Sequence, residues 1–72
     1  MGDASRMPRY FFHVSNGRTF RDDWGEHFLA AADAMDHAAK VAKELADEGG
    51  WGGYAVLVED EHGREIGRVP ID

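Results

Sequence analysis

The sequence predicts an α+β fold in two layers: a four-stranded, mainly antiparallel sheet in the order β-β-α-β-β, with one helix packed across one face. Two observations predict it. Short runs of aromatic and β-branched residues occur in two pairs, and a tight-turn signal separates the members of each pair. A single segment of helical periodicity lies between the pairs. With 72 residues there is room for one core, which the sheet and the helix must share.

The first pair of runs predicts a β-hairpin. Residues 9–14 are rich in aromatic and β-branched side chains, and Asn-Gly at 16–17 supplies the positive φ angles of a tight turn. The return strand, residues 18–21, is short. The segment 22–25 closes it, with Asp at the first position and Gly at the last position of a type I turn.

An amphipathic helix is predicted over about 28–48. Apolar residues recur there every three or four positions, flanked by Ala38 and Leu45, and we expect them to face the sheet: Phe28, Ala31, Ala32, Met35, Ala39, Ala42 and Ala46. Asp33 and His37 fall on the opposite, polar side. No capping residue precedes Ala30, whereas Gly49 and Gly50 suit the left-handed conformation that ends a helix.

A second hairpin follows the helix. Residues 54–59 and 64–69 are its predicted strands, and the Asp-x-x-Gly segment 60–63 is its turn. Pro70 has no N–H to donate to a neighbouring strand. We therefore expect the last strand to end at Pro70 or to lie at an edge of the sheet.

The domain organisation follows from the same pattern. Residues 1–6 have no apolar periodicity and are predicted to be a disordered N-terminal extension. A single α+β domain then covers 7–72. Met7 is for that reason a second candidate for the natural start residue, beside Met1.

The first strand is apolar on both faces, and this property bears on function. Alternation along the strands assigns a set of large side chains to the helix side: Tyr10, Phe12, Val14, Phe20, Tyr54, Val56 and Val58. It leaves four residues for the opposite face: Phe11, His13, Leu57 and Ile66. One helix covers only one face, so we expect the first strand to be central. The other face is then either a modest exposed patch or, as the small core favours, a surface covered by a second copy of the chain. The leading prediction is a noncatalytic interaction module that forms a homodimer, or binds a protein partner, through these four residues.

The charge balance disfavours a general nucleic-acid-coating role. Eight Lys and Arg against fourteen Asp and Glu give a net charge of −6, which opposes the counterion release that drives nonspecific binding. Cations outside the helix leave one alternative open, a nucleic-acid-binding or antitoxin-like regulator that uses Arg9, Arg18, Arg21 and Arg68. In the competing interpretation these arginines neutralise carboxylates on neighbouring strands.

Little in the sequence points to catalysis. The absence of cysteine excludes disulfides and thiolate chemistry and favours a cytoplasmic location, and no run is apolar and long enough to span a membrane. Asp33 and His37 offer two metal ligands at most, so a small metal-dependent enzyme is the least favoured alternative. His13 is expected to be structural. We predict no enzyme activity, cofactor or metal site, and we expect Trp24 and Trp51 to cover edges of the core.

Several motifs carry a family resemblance. Met-Pro-Arg-Tyr-Phe-Phe-His-Val at 7–14, Asn-Gly at 16–17 and Asp-Asp-Trp-Gly at 22–25 resemble the start of a family of short bacterial proteins known only as a domain of unknown function. The tail is similar as well, through Val56, Val58, Asp60, Gly63 and Pro70. The resemblance covers residues 7–70. It implies a stand-alone, soluble bacterial domain, with no activity and no site residues to carry over.

Overall fold

A computed structural model describes residues 7–72 and confirms the α+β fold. The elements are β1 (Arg9–Ser15), β2 (Thr19–Phe20), β3 (Glu26–His27), α1 (Ala31–Glu48), β4 (Ala55–Glu59) and β5 (Glu65–Pro70). The sequence predicted β1, β2, β4 and β5, whereas β3 has two residues and is too short to show a period. The predicted extension 1–6 lies outside the described residues.

The first strand lies inside the sheet, as predicted. The strand order is β2-β1-β4-β5, all antiparallel, and β3 pairs with the start of β1 while β2 pairs with its end. On the other edge of β1, His13 is opposite Leu57 of β4. β5 is an outer strand that ends at Pro70, consistent with the missing N–H of that residue.

The two ends of α1 differ in how they are capped. Its N-cap residue, Ala30, makes no side-chain cap hydrogen bond, as the sequence suggested. The helix begins at Ala31 and not near Phe28. At the other end Gly49 takes φ 86° and its N–H bonds to the carbonyl of Leu45 over 3.1 Å. No helix within residues 7–72 is long and apolar enough to cross a membrane.

The face that the helix presents to the sheet agrees only in part with the one predicted: Phe28, Met35, Ala42 and Ala46 pack on the core as expected. Its buried residues are Ala34, Ala38 and Ala42. Three alanines expected in the core are exposed: Ala31, Ala32 and Ala39. Alanine has the highest helix propensity at buried and exposed positions alike, so its spacing does not identify the buried face.

The core between the helix and the sheet is small. Its buried apolar residues are Tyr10, Ala34, Ala38, Ala42, Val56, Val58 and Ile71. The layers approach closely at Gly67, where an added Cβ would lie 2.7 Å from Cε of Met35. Small alanines permit this approach but bury little apolar area, so few large side chains hold the two layers together.

A β-bulge near the β4–β5 turn moves Ile66 toward the helix. Val58 pairs with Gly67, but the next residue, Glu59, pairs with Glu65, so β5 contains one extra residue there. Ile66 is half-buried and packs against the core cluster. The expectation that Ile66 lies on the opposite face is wrong, because side-chain alternation does not continue through a bulge.

Candidate interaction surface on the open face of the sheet

The open face, which is the side of the sheet away from the helix, carries Phe11, His13 and Leu57. The Phe11 and His13 rings are parallel, with planes 3° apart and centroids 6.3 Å apart. Phe11 and Leu57 are half-buried, whereas His13 is only 1% exposed. The fold thus brings together three of the four predicted surface residues. Of these three, His13 is too deeply buried to contact a partner.

Each ring nitrogen of His13 makes a hydrogen bond. The backbone N–H of Asp22 donates to Nδ1 over 2.9 Å, and Nε2 lies 3.1 Å from Oε1 of Glu59. A backbone N–H can only donate, so Nδ1 accepts and the ring hydrogen is on Nε2, which donates to the Glu59 carboxylate. His13 is therefore a buried histidine with both nitrogens occupied, which agrees with the structural role predicted for it.

Asp22 fastens the loop formed by residues 21–25 to the edge of β1. β3 and β2 pair with the two ends of that edge, and Phe12 lies between them. The Asp22 carboxylate accepts the N–H of Phe12 over 3.1 Å. It also accepts the N–H groups of Trp24 and Gly25 over 3.0 and 3.1 Å. The 21–25 loop thus takes the place of a strand in the middle of this edge.

These bonds set the ionisation of Asp22. Burial of the carboxyl is the largest single influence and raises its pKa. The backbone N–H bonds, led by the one from Gly25, and the nearby His13 act in the opposite direction, and together they lower the pKa of Asp22 below its ordinary value. The carboxylate is therefore charged at neutral pH, and a charged acceptor makes stronger hydrogen bonds than a neutral one.

An acidic groove of about 240 Å³ opens beside Phe11. Arg21 and Gly63 line it together with five carboxylates: Asp22, Asp23, Glu59, Asp60 and Glu61. Much of this acidity is part of the fold, since the Asp60 carboxylate also accepts two backbone N–H groups of the β4–β5 turn over 2.9 Å each. Within residues 7–72 no group of three or more His, Asp or Glu is arranged to hold a metal ion.

The two tryptophans have different environments. Trp51 packs against the core, and its ring lies 5.1 Å from Tyr54 and 6.1 Å from Phe20. Trp24 is 82% exposed, so the expectation that it covers a core edge is wrong. Trp24 lies in the 21–25 loop along the outer edge of β1, and the helix packs mainly on β4 and β5. The same position explains why Phe20, assigned to the helix side, is 53% exposed.

Exposed apolar residues gather where β3 borders the open face. Leu29 is 67% exposed and Met7 is 43% exposed. Arg9 pairs with His27, and the same register continued by two residues places Met7 opposite Leu29, on the face that carries Phe11. We call the following residues the open-face patch: Met7, Phe11, Trp24, Leu29 and Leu57. Alternation identified two of them, while the other three lie outside the regular strands.

A family model matches residues 9–72, a span that contains all five strands and the helix. Its description is domain of unknown function (DUF6894). The chain belongs to the DUF6894 family. This confirms the predicted membership of a family known only as a domain of unknown function. No curated protein and no solved structure matches the chain.

The four arginines of the nucleic-acid alternative are dispersed in this DUF6894 chain. Arg9 is the first residue of β1 and Arg18 follows the other end of this strand, which is about 20 Å long. Arg21 lines the acidic groove, and Arg68 lies 3.5 Å from Glu65. This arrangement favours the interpretation that the arginines offset neighbouring carboxylates.

His37 of the DUF6894 chain lies against aromatic rings, not on the polar side of the helix as predicted. Its ring centroid is 4.9 Å from that of Phe12 and 5.4 Å from that of Phe28. Nε2 is 3.1 Å from Oε1 of Glu26, while Asp33 is exposed. The cause is that the buried face of the helix is centred on Ala34, Ala38 and Ala42, which also leaves Ala31, Ala32 and Ala39 exposed. The Asp33–His37 pair is accordingly not assembled into a metal site.

Proposed function

We propose that this DUF6894 chain is a noncatalytic protein-interaction module that forms a homodimer through the open-face patch. The observation that carries the proposal is the set of large apolar side chains on the open face and at its border: Phe11 and Leu57 are half-buried, Met7, Trp24 and Leu29 are exposed, and no helix within residues 7–72 covers this face. A second copy is the partner whose area and charge pattern suit this surface. A cytoplasmic location, favoured by the cysteine-free composition, is part of the proposal.

Trp24 contributes much of the apolar area that a dimer contact would bury. A tryptophan presents up to about 250 Å², so Trp24 alone exposes roughly 200 Å². The largest apolar patch of a typical monomer is only about 300–600 Å², and one side of a standard interface covers about 800 Å². Burial of Trp24 would contribute about 5 kcal/mol of gross transfer free energy. Because the core of a single chain is small, dimerisation would add buried apolar area that one chain does not supply.

The charges around the patch suit a two-fold contact between identical chains. In such a contact every residue pair occurs twice. Arg68 lies in the cross-strand row of Leu57, and the neighbouring row carries Glu59 and Glu65. A second copy rotated by 180° brings Arg68 of each chain toward carboxylates of the other. This attraction opposes the repulsion between two chains of net charge −6.

The chemistry of the open face supports a role without catalysis. A general base must have a free position within hydrogen-bond reach of its substrate. Both ring nitrogens of His13 are occupied, and the ring is buried. The carboxylates next to it, Asp22 and Glu59, hold backbone N–H groups and the His13 ring.

Sedimentation equilibrium, from low micromolar to submillimolar chain concentration, tests the proposal. We expect the wild type to form a dimer. Leu57→Lys and Trp24→Ser should each raise the dimer dissociation constant by about tenfold or more, as is common for central interface residues. Ala39→Lys is the matched control, because it adds the same charge on the exposed side of the helix. Far-UV circular dichroism of each variant separates lost association from lost folding.

Two results would overturn the proposal. One is a wild type that sediments as a monomer at every concentration. The other is a dimer that Ala39→Lys weakens as much as Leu57→Lys does. Salt distinguishes the nucleic-acid alternative: an apolar dimer should persist at about 0.5 M salt, whereas binding of RNA or DNA through arginines should be lost there.

A further inference from the structure

We infer that His13 is an acid-sensitive latch: protonation of its Nδ1 releases the 21–25 loop from β1 and, with the loop, Trp24 of the open-face patch. The inference takes its consequence for association from the proposed function, but the latch itself operates in a single chain. The geometry that points to it is a buried imidazole held between a backbone N–H and a carboxylate.

The loop is attached to β1 through Asp22. The Asp22 carboxylate accepts the N–H of Phe12 over 3.1 Å, and the Asp22 backbone N–H donates to Nδ1 of His13 over 2.9 Å. The other bonds of this carboxylate, to Trp24 and Gly25, lie inside the loop. One of the two described attachments at Asp22 thus depends on the protonation state of a histidine.

A proton on Nδ1 removes the acceptor of the Asp22 N–H. Both nitrogens of an imidazolium carry hydrogen, so an N–H would face an N–H across 2.9 Å. The loss of this acceptor costs free energy when the half-buried N–H gains no water molecule in its place. The opposite ring nitrogen keeps its bond to Glu59, now between charged partners. The ring is therefore expected to stay in place while the loop moves.

Two charged residues contact His13 on the open face, others lie in the neighbouring groove and strand, and the helix lies across the other face. Glu59 of β4 and Asp22 of the loop are nearest. The groove and the outer strand add further groups: Asp23, Asp60, Glu61, Arg21 and Arg68. Carboxylates outnumber cations in this set. An imidazolium therefore has anionic partners available.

Release of the loop changes the open-face patch. Trp24 follows Asp22 by two residues, and its backbone N–H is fixed by the Asp22 carboxylate. When Asp22 leaves its position on β1, Trp24 loses the position that the proposed dimer contact requires. The homodimer is thus expected to dissociate on acidification, as His13 takes up a proton.

Amide hydrogen exchange tests the latch. The protection factor of the Asp22 N–H, which corrects for the intrinsic pH dependence of exchange, is measured at about pH 8 and about pH 5 in the wild type, in His13→Gln and in His62→Gln. We expect a loss of about tenfold on acidification in the wild type and in His62→Gln, the control at an exposed turn. Glutamine does not titrate, so the protection in His13→Gln should not depend on pH.

A second measurement covers the case in which His13→Gln does not fold. The ¹⁵N chemical shifts of the wild-type His13 ring report protonation of Nδ1, and their pH midpoint should coincide with that of the Asp22 protection loss. Unchanged Asp22 protection in the wild type, or a midpoint that follows another histidine, overturns the latch.

Sedimentation of the same samples separates the latch from the proposed function. A dimer at about pH 8 that dissociates as His13 protonates supports both. A monomer throughout, with the His13-linked loss of protection, contradicts the dimer and supports the latch. A dimer throughout, with Asp22 protection unchanged, supports the dimer and overturns the latch.

Discussion

Replacement of Asp22 by alanine removes the acceptor of three backbone hydrogen bonds at once. The N–H groups of Phe12, Trp24 and Gly25 lose their partner, and the 21–25 loop loses one of its attachments to β1. The expected result is a folded but less stable domain, because the core under the helix does not include this loop.

The magnitude follows from where the three donors lie. A hydrogen bond to a charged group contributes about 1.5–3 kcal/mol. The N–H of Phe12 is on the half-buried edge of β1, and we assign its loss about 2 kcal/mol; the loop donors reach water more easily, at about 0.5 kcal/mol each. The sum is about 3 kcal/mol, against a total stability of roughly 4–11 kcal/mol for a chain of this length. The melting temperature should fall by roughly 12–24 °C.

Thermal and urea unfolding, followed by circular dichroism at one fixed chain concentration, measure this loss. Asp23→Ala is the matched control, because Asp23 is the exposed neighbour of Asp22 and its replacement removes the same charge. We expect the free energy of unfolding of this variant to lie within about 0.5 kcal/mol of the wild-type value. If Asp22→Ala and Asp23→Ala lose the same stability, the Asp22 hydrogen bonds do not hold the loop as described.

Three further outcomes are expected. Ala38→Leu should destabilise the domain by about 1–3 kcal/mol because the site is fully buried, whereas exposed Ala39→Leu should change little in the same melts; equal effects would contradict the helix orientation. Gly67→Ala should cost about 1–2 kcal/mol through its clash with Met35, and a simultaneous Met35→Ala should cost less than the sum of the two single changes. The stability gap between wild type and Asp22→Asn should be complete above the aspartate pKa of the unfolded chain and shrink in acid urea titrations as the pH falls below about 4, because the folded state lowers the pKa of Asp22.

The sequence predicted what is local in this fold. Strands with a period of two, an Asn-Gly turn and a glycine after the helix each depend on a few neighbouring residues, and the strands and the helix end at Gly49 followed. The buried face of the helix followed only in part. Ala42 is buried as predicted, but Ala31, Ala32 and Ala39 are exposed, because alanine suits both environments and its spacing does not distinguish them.

The open face was predictable only in part. Alternation placed Phe11 and Leu57 correctly, but the bulge opposite β4 redirected Ile66 to the core. The exposure of Trp24 depends on how the 21–25 loop lies along β1, which no local pattern contains. The bonds of Asp22 to β1 are equally non-local. The residue itself could have been singled out, because an Asp at the start of a short turn often accepts nearby N–H groups.

The most direct measurement of the central claim is an isotope-filtered NOE experiment on a mixture of labelled and unlabelled chains near neutral pH. The homodimer predicts intermolecular contacts that join the methyl groups of Leu57 in one chain to the Phe11 and Trp24 rings of the other. Contacts that arise from exposed helix residues such as Ala39, or no intermolecular contacts in a sample of dimeric mass, would contradict it.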